Sequence, residues 1–522
     1  MPTLTIDHQE IHVEPESTVL QAAEKLGIHI PRYCYHPGLS VVGSCRMCLV
    51  EVETMPKLTV SCHTQIQEGM RVHTNSDRVA HARRAMLELL LIDHPLDCPV
   101  CDQSGECDLQ DYYMEIGKHN SRFLENKHKS KKASIIGPHV ILDQERCILC
   151  TRCTRFCTEI SKTNELGVFN RGNKSVIDHY PGRLLDNPYS GNVIDICPVG
   201  ALTEREFRFQ CRVWYLRETN SICNGCSRGC NISIHYNLSH PHKSGKKRVQ
   251  RLKPRFNPEV NRWWICDEGR FGYEFIDKNR IETPHRLVNG QLEPALWNEV
   301  LEETSTALKA TLEKFGPNSI GIIVSPQLSN EELYLIHKFF GELLEINQIG
   351  YRNSWEPEGF QDDFLMRADK NPNSRGAQEM GFSEDSKALL KKAASGDIKI
   401  LYIFQHDFQN KEAQKLLEQT ECVIFQGSNW NTTAKLCNIL LPGATYAETE
   451  GTFTNFEGRV QHFHQAFLPR SKSRDVIDIM TTLAKQWGYE WPYAGPEDIF
   501  IEWHGKPYAD LKECGELIKE DS

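Results

Sequence analysis

The cysteines are the residues of this sequence most able to do chemistry. The chain has 522 residues and 20 cysteines, and 17 of these fall between Cys34 and Cys266. Because no signal peptide is visible, we expect a reducing compartment, where dense cysteine usage indicates metal ligation rather than disulfides. Zinc and iron–sulfur clusters both prefer thiolate ligands. The sequence therefore predicts several metal centres in the first half of the chain.

The first cysteine group lies in a β-rich segment and consists of Cys34, Cys45, Cys48 and Cys62. Alternating apolar residues around a polar Asp7–Glu10 turn predict a hairpin, and Ser17 or Thr18 could cap a helix that stops at Gly27. This pattern resembles a plant-type ferredoxin β-grasp with a 2Fe–2S cluster, although ten residues separate the first two cysteines instead of four. A structural zinc site is the alternative.

The second group has the pattern H-x3-C-x2-C-x5-C and consists of His94, Cys98, Cys101 and Cys107. A helix predicted from Asp77 to about Ile92 ends just before it. A 4Fe–4S cluster needs four ligands, and the three cysteines supply only three. We therefore predict that His94 is the fourth ligand, through a neutral ring nitrogen. Most histidines have no such role, so this prediction depends on the missing ligand.

The third group combines C-x2-C-x2-C with a distant Cys-Pro and consists of Cys147, Cys150, Cys153 and Cys197. In bacterial ferredoxins the fourth cysteine of such a run ligates the other cluster. No second run precedes Cys197, so we predict one 4Fe–4S cluster and a buried free thiol at Cys157.

The fourth group has the pattern C-x2-C-x3-C followed by a distant cysteine, and consists of Cys223, Cys226, Cys230 and Cys266. It resembles the small cluster domain of molybdopterin oxidoreductases, which predicts another 4Fe–4S cluster, with zinc as the alternative. The remaining cysteines are expected to be ordinary thiols: Cys157, Cys211, Cys422, Cys437 and Cys514.

From about Gly290 onward, buried strands alternate with helices, which predicts an α/β domain with a largely parallel sheet. The predicted strands are 320–324, 398–404 and 422–425, with a helix over 331–343. Cys422 is expected in a strand and Cys437 in a helix. The stretch 440–460 resembles a segment of molybdopterin oxidoreductases, but the domain is short for that class. We therefore expect a degenerate scaffold without molybdopterin, in which 440–460 is a packed or partner-binding loop.

The order of the four groups resembles the family of large iron–sulfur subunits of bacterial NADH-quinone oxidoreductase, respiratory complex I. The resemblance implies an electron relay within a proton-translocating oxidoreductase, on the cytoplasmic side of the inner membrane. Its implied partners are a flavin-bearing, NADH-binding subunit and a ferredoxin-like subunit. It also implies an electron path from the 2Fe–2S group to the Cys147 group and then to the His94 group. The Cys223 group is implied to lie off this path.

Several function classes are excluded or left as alternatives. A net charge of −10 argues against nucleic-acid binding, and no apolar run is long enough to span a membrane. No G-x-G dinucleotide motif occurs, so we expect no NAD or FMN in this chain and no complete NADH or quinone site. The alternatives are the electron-transfer subunit of an NAD-linked hydrogenase or formate dehydrogenase complex, and a zinc-stapled scaffold.

The predicted fold is a multidomain α+β and α/β chain with five domains. They are a 2Fe–2S ferredoxin-like domain (1–76), a His/Cys3-ligated 4Fe–4S domain (77–137), a bacterial-ferredoxin-like 4Fe–4S domain (138–215), a molybdopterin-oxidoreductase-type 4Fe–4S domain (216–280) and a shortened molybdopterin-oxidoreductase-like domain (281–522).

Overall fold

Two compact units make up the chain in a computed structural model, which describes residues 1–117, 120–243, 247–352, 355 and 357–518. The first unit comprises Met1–Leu216 with a short segment that begins at His242. The second comprises Arg217–Pro241 and the described chain from residue 247 onward. Within these described ranges, no helix has the length and apolarity needed to cross a bilayer.

The described residues of the first unit form three small sheets and five helices. The strands are β1 (Thr3–Ile6), β2 (Gln9–His12), β3 (Leu49–Val52), β4 (Thr59–Val60), β5 (Met70–His73), β6 (Ser134–Ile135), β7 (Val140–Leu142), β8 (Leu166–Phe169), β9 (Val176–His179) and β10 (Leu202–Glu204). The helices are α1 (Val19–Lys25), α2 (Asp77–Leu91), α3 (Asp108–Ile116), α4 (Arg152–Arg155) and α5 (Asn192–Asp195).

The N-terminal sheet has the order β2-β1-β5-β3-β4, with α1 packed against it. The predicted hairpin is confirmed, but its turn is only Asp7 and His8, both with positive φ, because Glu10 already pairs within β2. The helix prediction is also confirmed. The Thr18 hydroxyl accepts a hydrogen bond from the backbone of Gln21, and Gly27 follows the helix with φ +73°.

The helix predicted before the second cysteine group is α2, so that prediction is confirmed. Its first turn is capped by Ser76, whose hydroxyl accepts a hydrogen bond from the backbone N–H of Val79 at 3.4 Å. The helix ends at Leu91, and Pro95 prevents any extension beyond this turn, because proline disfavours helical backbone in the residue before it. The end of α2 thus places His94 at the start of the second cysteine group.

The described residues of the second unit form three sheets. The strands are β11 (Arg217–Ile222), β12 (Asn231–Tyr236), β13 (Val249–Pro254), β14 (His285–Val288), β15 (Gln291–Pro294), β16 (Ile320–Val324), β17 (Ile349–Arg352), β18 (Glu384–Asp385), β19 (Ile400–Phe404), β20 (Cys422–Gly427), β21 (Ile439–Pro442), β22 (Gly451–Thr454), β23 (Arg459–Phe463) and β24 (Glu516–Leu517). The helices are α6 (Asp267–Phe271), α7 (Trp297–Phe315), α8 (Asn330–Ile336), α9 (Ser374–Glu379), α10 (Ser386–Ala394), α11 (Lys411–Glu418), α12 (Thr432–Lys435), α13 (Val476–Gln486) and α14 (Pro496–His504).

The largest sheet has eight strands in the order β15-β14-β21-β20-β19-β16-β17-β18. Strands β16 to β21 pair in parallel, and β14 and β15 add an antiparallel edge. The central strands β16 and β19 are buried along their whole length, which explains their continuous apolar sequences. The prediction of a largely parallel α/β domain is confirmed.

Two local predictions about the second unit are wrong. Cys437 lies after α12 instead of inside a helix, in the turn that leads to β21. The stretch 440–460 is not a loop, because it contains most of β21, all of β22 and the start of β23. It is packed as expected, since the backbone N–H of Thr452 donates to the buried carboxylate of Glu331 at 2.8 Å.

Candidate metal centres

The first predicted set lies around the loop between α1 and β3 and in the turn after β4. Cys34, Cys48 and Cys62 are buried, and Cys45 is partly buried. Left-handed backbone at Arg46 (φ +58°) turns the chain between the two cysteines of the C-x2-C pair. A hydrogen bond from Cys45 lowers the pKa of the Cys34 thiol to about 5, and one from Cys62 lowers the pKa of Cys48 to about 7. The structure therefore brings the four predicted residues together as two thiol pairs.

The second predicted set lies between α2 and α3. Cys98 begins a short 3₁₀ turn, and Cys107 directly precedes α3. His94, Cys98 and Cys107 line one cavity of about 700 Å³, which also has many apolar side chains in its wall. Burial raises the pKa of the Cys107 thiol to about 11, and the nearby Cys101 adds to this effect. The three cysteines are therefore close neighbours, and His94 lies on the same cavity as two of them.

His94 has the properties of a ligand rather than of a surface histidine. Its side chain is buried, and within the described chain its Nδ1 atom has no hydrogen-bond partner. Burial, followed by the positive charge of Arg146, lowers the pKa of His94 to about 4. The ring is consequently neutral near pH 7, as a metal ligand must be.

The third predicted set is assembled by a pair of antiparallel strands. Leu142 at the end of β7 pairs with Leu202 at the start of β10. Cys147 follows β7 and Cys197 precedes β10, so the ladder brings two distant parts of the sequence to the same end of the sheet. A small, largely apolar cavity of about 20 Å³ is lined by all four predicted residues, Cys147, Cys150, Cys153 and Cys197.

Backbone conformation shapes the Cys147–Cys153 segment around this cavity. Leu149 and Thr151 have left-handed φ values of +53° and +59°, and the N–H of Leu149 donates to Cys147 Sγ at 3.4 Å. Burial raises the pKa of Cys147 to about 12 and that of Cys150 to about 11. A metal must therefore displace protons from these thiols when it binds.

Cys157 differs from its neighbours in the same segment. It is buried in the π-helical turn Phe156–Ile160 that follows α4, and it is not among the residues that line the cavity of the third set. Burial, and then the neighbouring Glu165 carboxylate, raises the pKa of Cys157 to about 12. This environment suits a protonated thiol, in line with its predicted role as a free cysteine, which stays a prediction.

The fourth predicted set lies in the second unit. The hydrogen bond from Cys223 N to Cys230 O (2.8 Å) joins the end of β11 to the start of β12. Cys266 caps α6, and its Sγ accepts a hydrogen bond from Gly269 N at 3.3 Å. A Cβ atom at Gly269 would lie 2.8 Å from Cys223 Sγ, so this position has no room for a side chain. Burial raises the pKa of all three of these thiols, and the charge of Cys226 adds to each effect.

The buried Arg152 and the partly buried Arg155, which were not predicted as site residues, connect the first and third sets. Arg155 Nη2 donates to the carbonyl oxygens of Cys34 (2.5 Å) and Cys150 (3.3 Å). Arg152 donates to the carbonyl oxygens of Tyr35 (2.7 Å) and Ile196 (3.0 Å), which adjoin Cys34 and Cys197. The signal in the sequence was the pair of arginines within and just after the third cysteine run.

The second set is also close to the other two sets of the first unit. A Cβ atom at Gly200, just after Cys197, would lie 2.4 Å from Cys101 Sγ. Burial raises the pKa of Tyr33 above its ordinary range, and the charges of Cys107 and Cys45 both contribute. Tyr33 is therefore near a cysteine of the first set and one of the second. The three sets of the first unit converge in space.

The other cysteines have ordinary environments. Cys211 is buried, with its Sγ 3.6 Å from the carbonyl oxygen of Arg212. Cys422 begins β20, and the Cys437 thiol donates to the carbonyl oxygen of Ala434 at 3.2 Å. Cys514 is partly buried.

A cavity of about 290 Å³ lies beside the large sheet of the second unit and is the place to test for a molybdopterin site. Its described lining contains the Glu332 carboxyl and several aromatic rings, but no lysine or arginine. Burial raises the pKa of Glu332 to about 7. A phosphorylated, anionic pterin would find no cationic partner there, and the volume is at the lower limit for ligand sites. These residues do not fit that cofactor.

Taken together, the folds and the thiol sets define a multidomain iron–sulfur protein. Family models match five parts of the chain: the 2Fe-2S iron-sulfur cluster binding domain (1–77), the NADH-ubiquinone oxidoreductase-G iron-sulfur binding region (83–122), the NADH-quinone oxidoreductase subunit 3 ferredoxin-like domain (137–203), the molybdopterin oxidoreductase Fe4S4 domain (216–278) and molybdopterin oxidoreductase (347–486). These matches confirm the predicted fold class, whereas the boundaries of the five predicted domains stay predictions.

Similar curated proteins narrow this class to one family. The mitochondrial 78 kDa subunit of NADH-ubiquinone oxidoreductase from Candida albicans is 30% identical over 617 residues, covering 95% of this chain and 84% of the relative. The G subunit of NADH-quinone oxidoreductase from Rickettsia bellii is 40% identical over 356 residues, covering 67% of this chain. The chain belongs to this family of large iron–sulfur subunits. Its match spans about half the length of the Rickettsia relatives.

Two solved structures overlap with parts of the chain. An NAD⁺-reducing [NiFe]-hydrogenase in the H2-reduced state is 33% identical and covers 41% of this chain and 91% of its own, with a TM-score of 0.38. Acetylene hydratase from Pelobacter acetylenicus is 12% identical and covers 58% of this chain and 74% of its own, with a TM-score of 0.40.

Proposed function

We propose that the chain is an electron-relay subunit of NADH:quinone oxidoreductase, carrying electrons from a flavin-bearing subunit toward quinone. Family membership supports this function. The observation that carries it is the convergence of three ligand sets in the first unit. There, one guanidinium, that of Arg155, donates to the carbonyl oxygens of Cys34 and Cys150 in two different sets.

The proposed ligand sets are those predicted from the sequence. Burial and mutual proximity of the side chains support each set. The first would hold a 2Fe–2S cluster through Cys34, Cys45, Cys48 and Cys62, and the others would hold 4Fe–4S clusters through His94, Cys98, Cys101 and Cys107; through Cys147, Cys150, Cys153 and Cys197; and through Cys223, Cys226, Cys230 and Cys266.

Bound in these sets, the clusters would supply one-electron redox chemistry. The chain's own residues would hold the metals and exclude water, since most of the proposed ligands are buried. Arg146, Arg152 and Arg155 would offset the negative charge of the thiolates. His94 would add a neutral ligand to its set, which makes that site easier to reduce than an all-thiolate site.

The partners in this proposal are a flavin-bearing, NADH-binding subunit and a ferredoxin-like subunit, and the chain itself completes neither an NADH nor a quinone site. The chain would be peripheral, on the cytoplasmic side of a bacterial inner membrane, and part of a proton-translocating complex. We also propose that it carries no FMN, NAD or molybdopterin. For molybdopterin, the cation-free lining of the cavity in the second unit supports this absence.

Reduction by NADH through a partner tests this function. The chain, purified anaerobically, is mixed with a flavin-bearing, NADH-oxidising subunit, and its visible iron–sulfur absorbance is followed. We expect bleaching on addition of NADH and none when the partner is omitted, because cluster sets cannot accept a hydride. A chain that stays oxidised with NADH, but is bleached by dihydrogen through a hydrogenase subunit, would instead support the NAD-linked hydrogenase alternative.

A further inference from the structure

A cluster of two histidines and one glutamate lies on the β22–β23 hairpin of the second unit. Glu450 directly precedes β22, and His464 directly follows β23. The register pairs Gly451 with Phe463, so Glu450 and His464 face each other across the ladder. Side chains two apart on a strand point to the same side, which places His462 beside His464.

The ligand atoms of these side chains converge on one point. The Oε1 atom of Glu450 lies 3.0 Å from His462 Nε2 and 3.2 Å from His464 Nδ1. All three ligand atoms lie within 4.8 Å of one another. In a tetrahedral zinc site, bonds of about 2.0–2.2 Å place ligand atoms roughly 3.3–3.6 Å apart. Small rotations of the side chains would therefore convert the hydrogen-bonded cluster into a metal site.

Neighbouring contacts hold the cluster in this arrangement. The His462 ring stacks on Tyr508 with 4.0 Å between centroids, and the two histidine rings are 4.3 Å apart. His464 is half exposed, which leaves the site open to solvent on one side.

We propose that Glu450, His462 and His464 bind one divalent transition-metal ion of the Zn²⁺ class, with water completing the coordination. Two imidazoles and one carboxylate suit zinc and its neighbours, whereas Mg²⁺ prefers an all-oxygen site. None of its ligands belongs to the cysteine sets. Its role would be structural, since it would brace the β22–β23 hairpin, whose His462 ring also stacks on Tyr508.

Zinc loading of the full iron-containing chain tests the proposal. The protein is purified anaerobically and dialysed against buffered Zn²⁺ or Mg²⁺, and bound zinc, magnesium and iron are counted by mass spectrometry. We expect about one zinc per chain, no magnesium and unchanged iron. X-ray absorption at the zinc edge should show nitrogen and oxygen ligands at about 2.0–2.2 Å instead of sulfur near 2.3 Å.

Variants of the cluster identify the ligands. Loss of a metal's outer partner already costs about 10- to 100-fold in affinity, so His464→Ala and Glu450→Gln should each weaken zinc binding at least that much. The matched control is His337→Ala, because His337 pairs with Glu342 at 3.7 Å in the same unit and should not affect zinc. The proposal is overturned by sulfur ligands, by equal affinity in wild type and His464→Ala, or by no zinc binding at all.

Discussion

At the residue scale, His94 is distinctive because it is the one predicted ligand that carries no charge. It is buried, the pKa of its ring is lowered to about 4, and its Nδ1 has no hydrogen-bond partner in the part of the chain that the structure describes. A neutral ligand leaves a cluster less negative than a thiolate does, which raises its reduction potential.

Replacing His94 by cysteine should therefore keep the iron but lower the potential of that centre. A redox titration followed by low-temperature paramagnetic resonance measures the change. His81→Cys, at an exposed position of α2, serves as the control and should leave the titration unaltered. An identical potential and spectrum in His94→Cys would remove His94 from the proposed ligands.

Substitutions of Cys157 and Cys197 should have opposite effects on the iron content of the chain. Cys157 is buried next to Glu165, whereas Cys197 lines the cavity of the third set. Cys157→Ser should retain all iron, because serine can also donate a hydrogen bond to the carboxylate. Cys197→Ser should lose about four irons per chain, since a 4Fe–4S cluster needs its fourth ligand. The reverse pattern in iron analysis would exchange the roles of the two cysteines.

At the scale of elements, Arg152 at the start of α4 ties together loops that are distant in sequence. Its two hydrogen bonds to buried carbonyl groups would be lost in Arg152→Met. Hydrogen bonds to charged groups contribute about 1.5–3 kcal/mol each, so we expect a loss of roughly 3–6 kcal/mol in the free energy of unfolding. Denaturant unfolding measures it, with the exposed Arg171→Met as control. A change no larger than that of the control would show that the bridge has no stabilising role.

The buried His406, which follows β19, should make the stability of the protein depend on pH. His406 packs against Phe408, and burial lowers the pKa of its ring to about 4. In the unfolded chain the pKa is about 6.5, so the unfolded state binds more protons between about pH 4 and 6.5. The stability that comes from burying a neutral His406 is therefore fully present above pH 6.5. As the pH falls toward 4, the free energy of unfolding decreases by at most about 1.4 kcal/mol per pH unit.

Denaturant unfolding of the wild type and of His406→Gln tests this dependence. The free energies of unfolding are compared between pH 5.5 and 7.5, about the range in which histidine titrates. The variant should show the flatter curve, and His337→Gln should follow the wild type. Parallel curves for wild type and His406→Gln would exclude His406 as the source.

Local patterns in the sequence predicted most elements but not the contacts between them. The capping residue Thr18, the alternation in β1 and β2 and the apolar runs of β16 and β19 each depend on a few neighbouring residues. The strands within 440–460 were missed because their polar threonines are buried through hydrogen bonds to the distant Asn330. Long-range partners of this kind leave no local signal.

Ligand spacing in the sequence selected residues that the structure brings close together, whereas their binding of iron stays a prediction. Each of the sixteen proposed ligands lies near other members of its own set. The spacing could not reveal that three sets converge. Their convergence depends on long-range contacts, of Arg155 with Cys34 and of Gly200 with Cys101.

At the scale of the whole molecule, the two units divide the ligand sets unequally. The first unit contains three sets and two arginines that connect the first set to the third, and the second unit contains the Cys223 set. The second unit also has the large parallel sheet and a polar cavity whose lining does not suit an anionic pterin. This division is consistent with a relay in the first unit and a mainly structural role for the second.

The iron content of the anaerobically purified chain, together with paramagnetic resonance of its reduced form, tests the central claim most directly. The ligand sets predict about 14 irons per chain with matching acid-labile sulfide, and signals from one 2Fe–2S and three 4Fe–4S clusters. A colourless protein whose cysteine sets hold zinc, without sulfide or a paramagnetic signal on reduction, would contradict it.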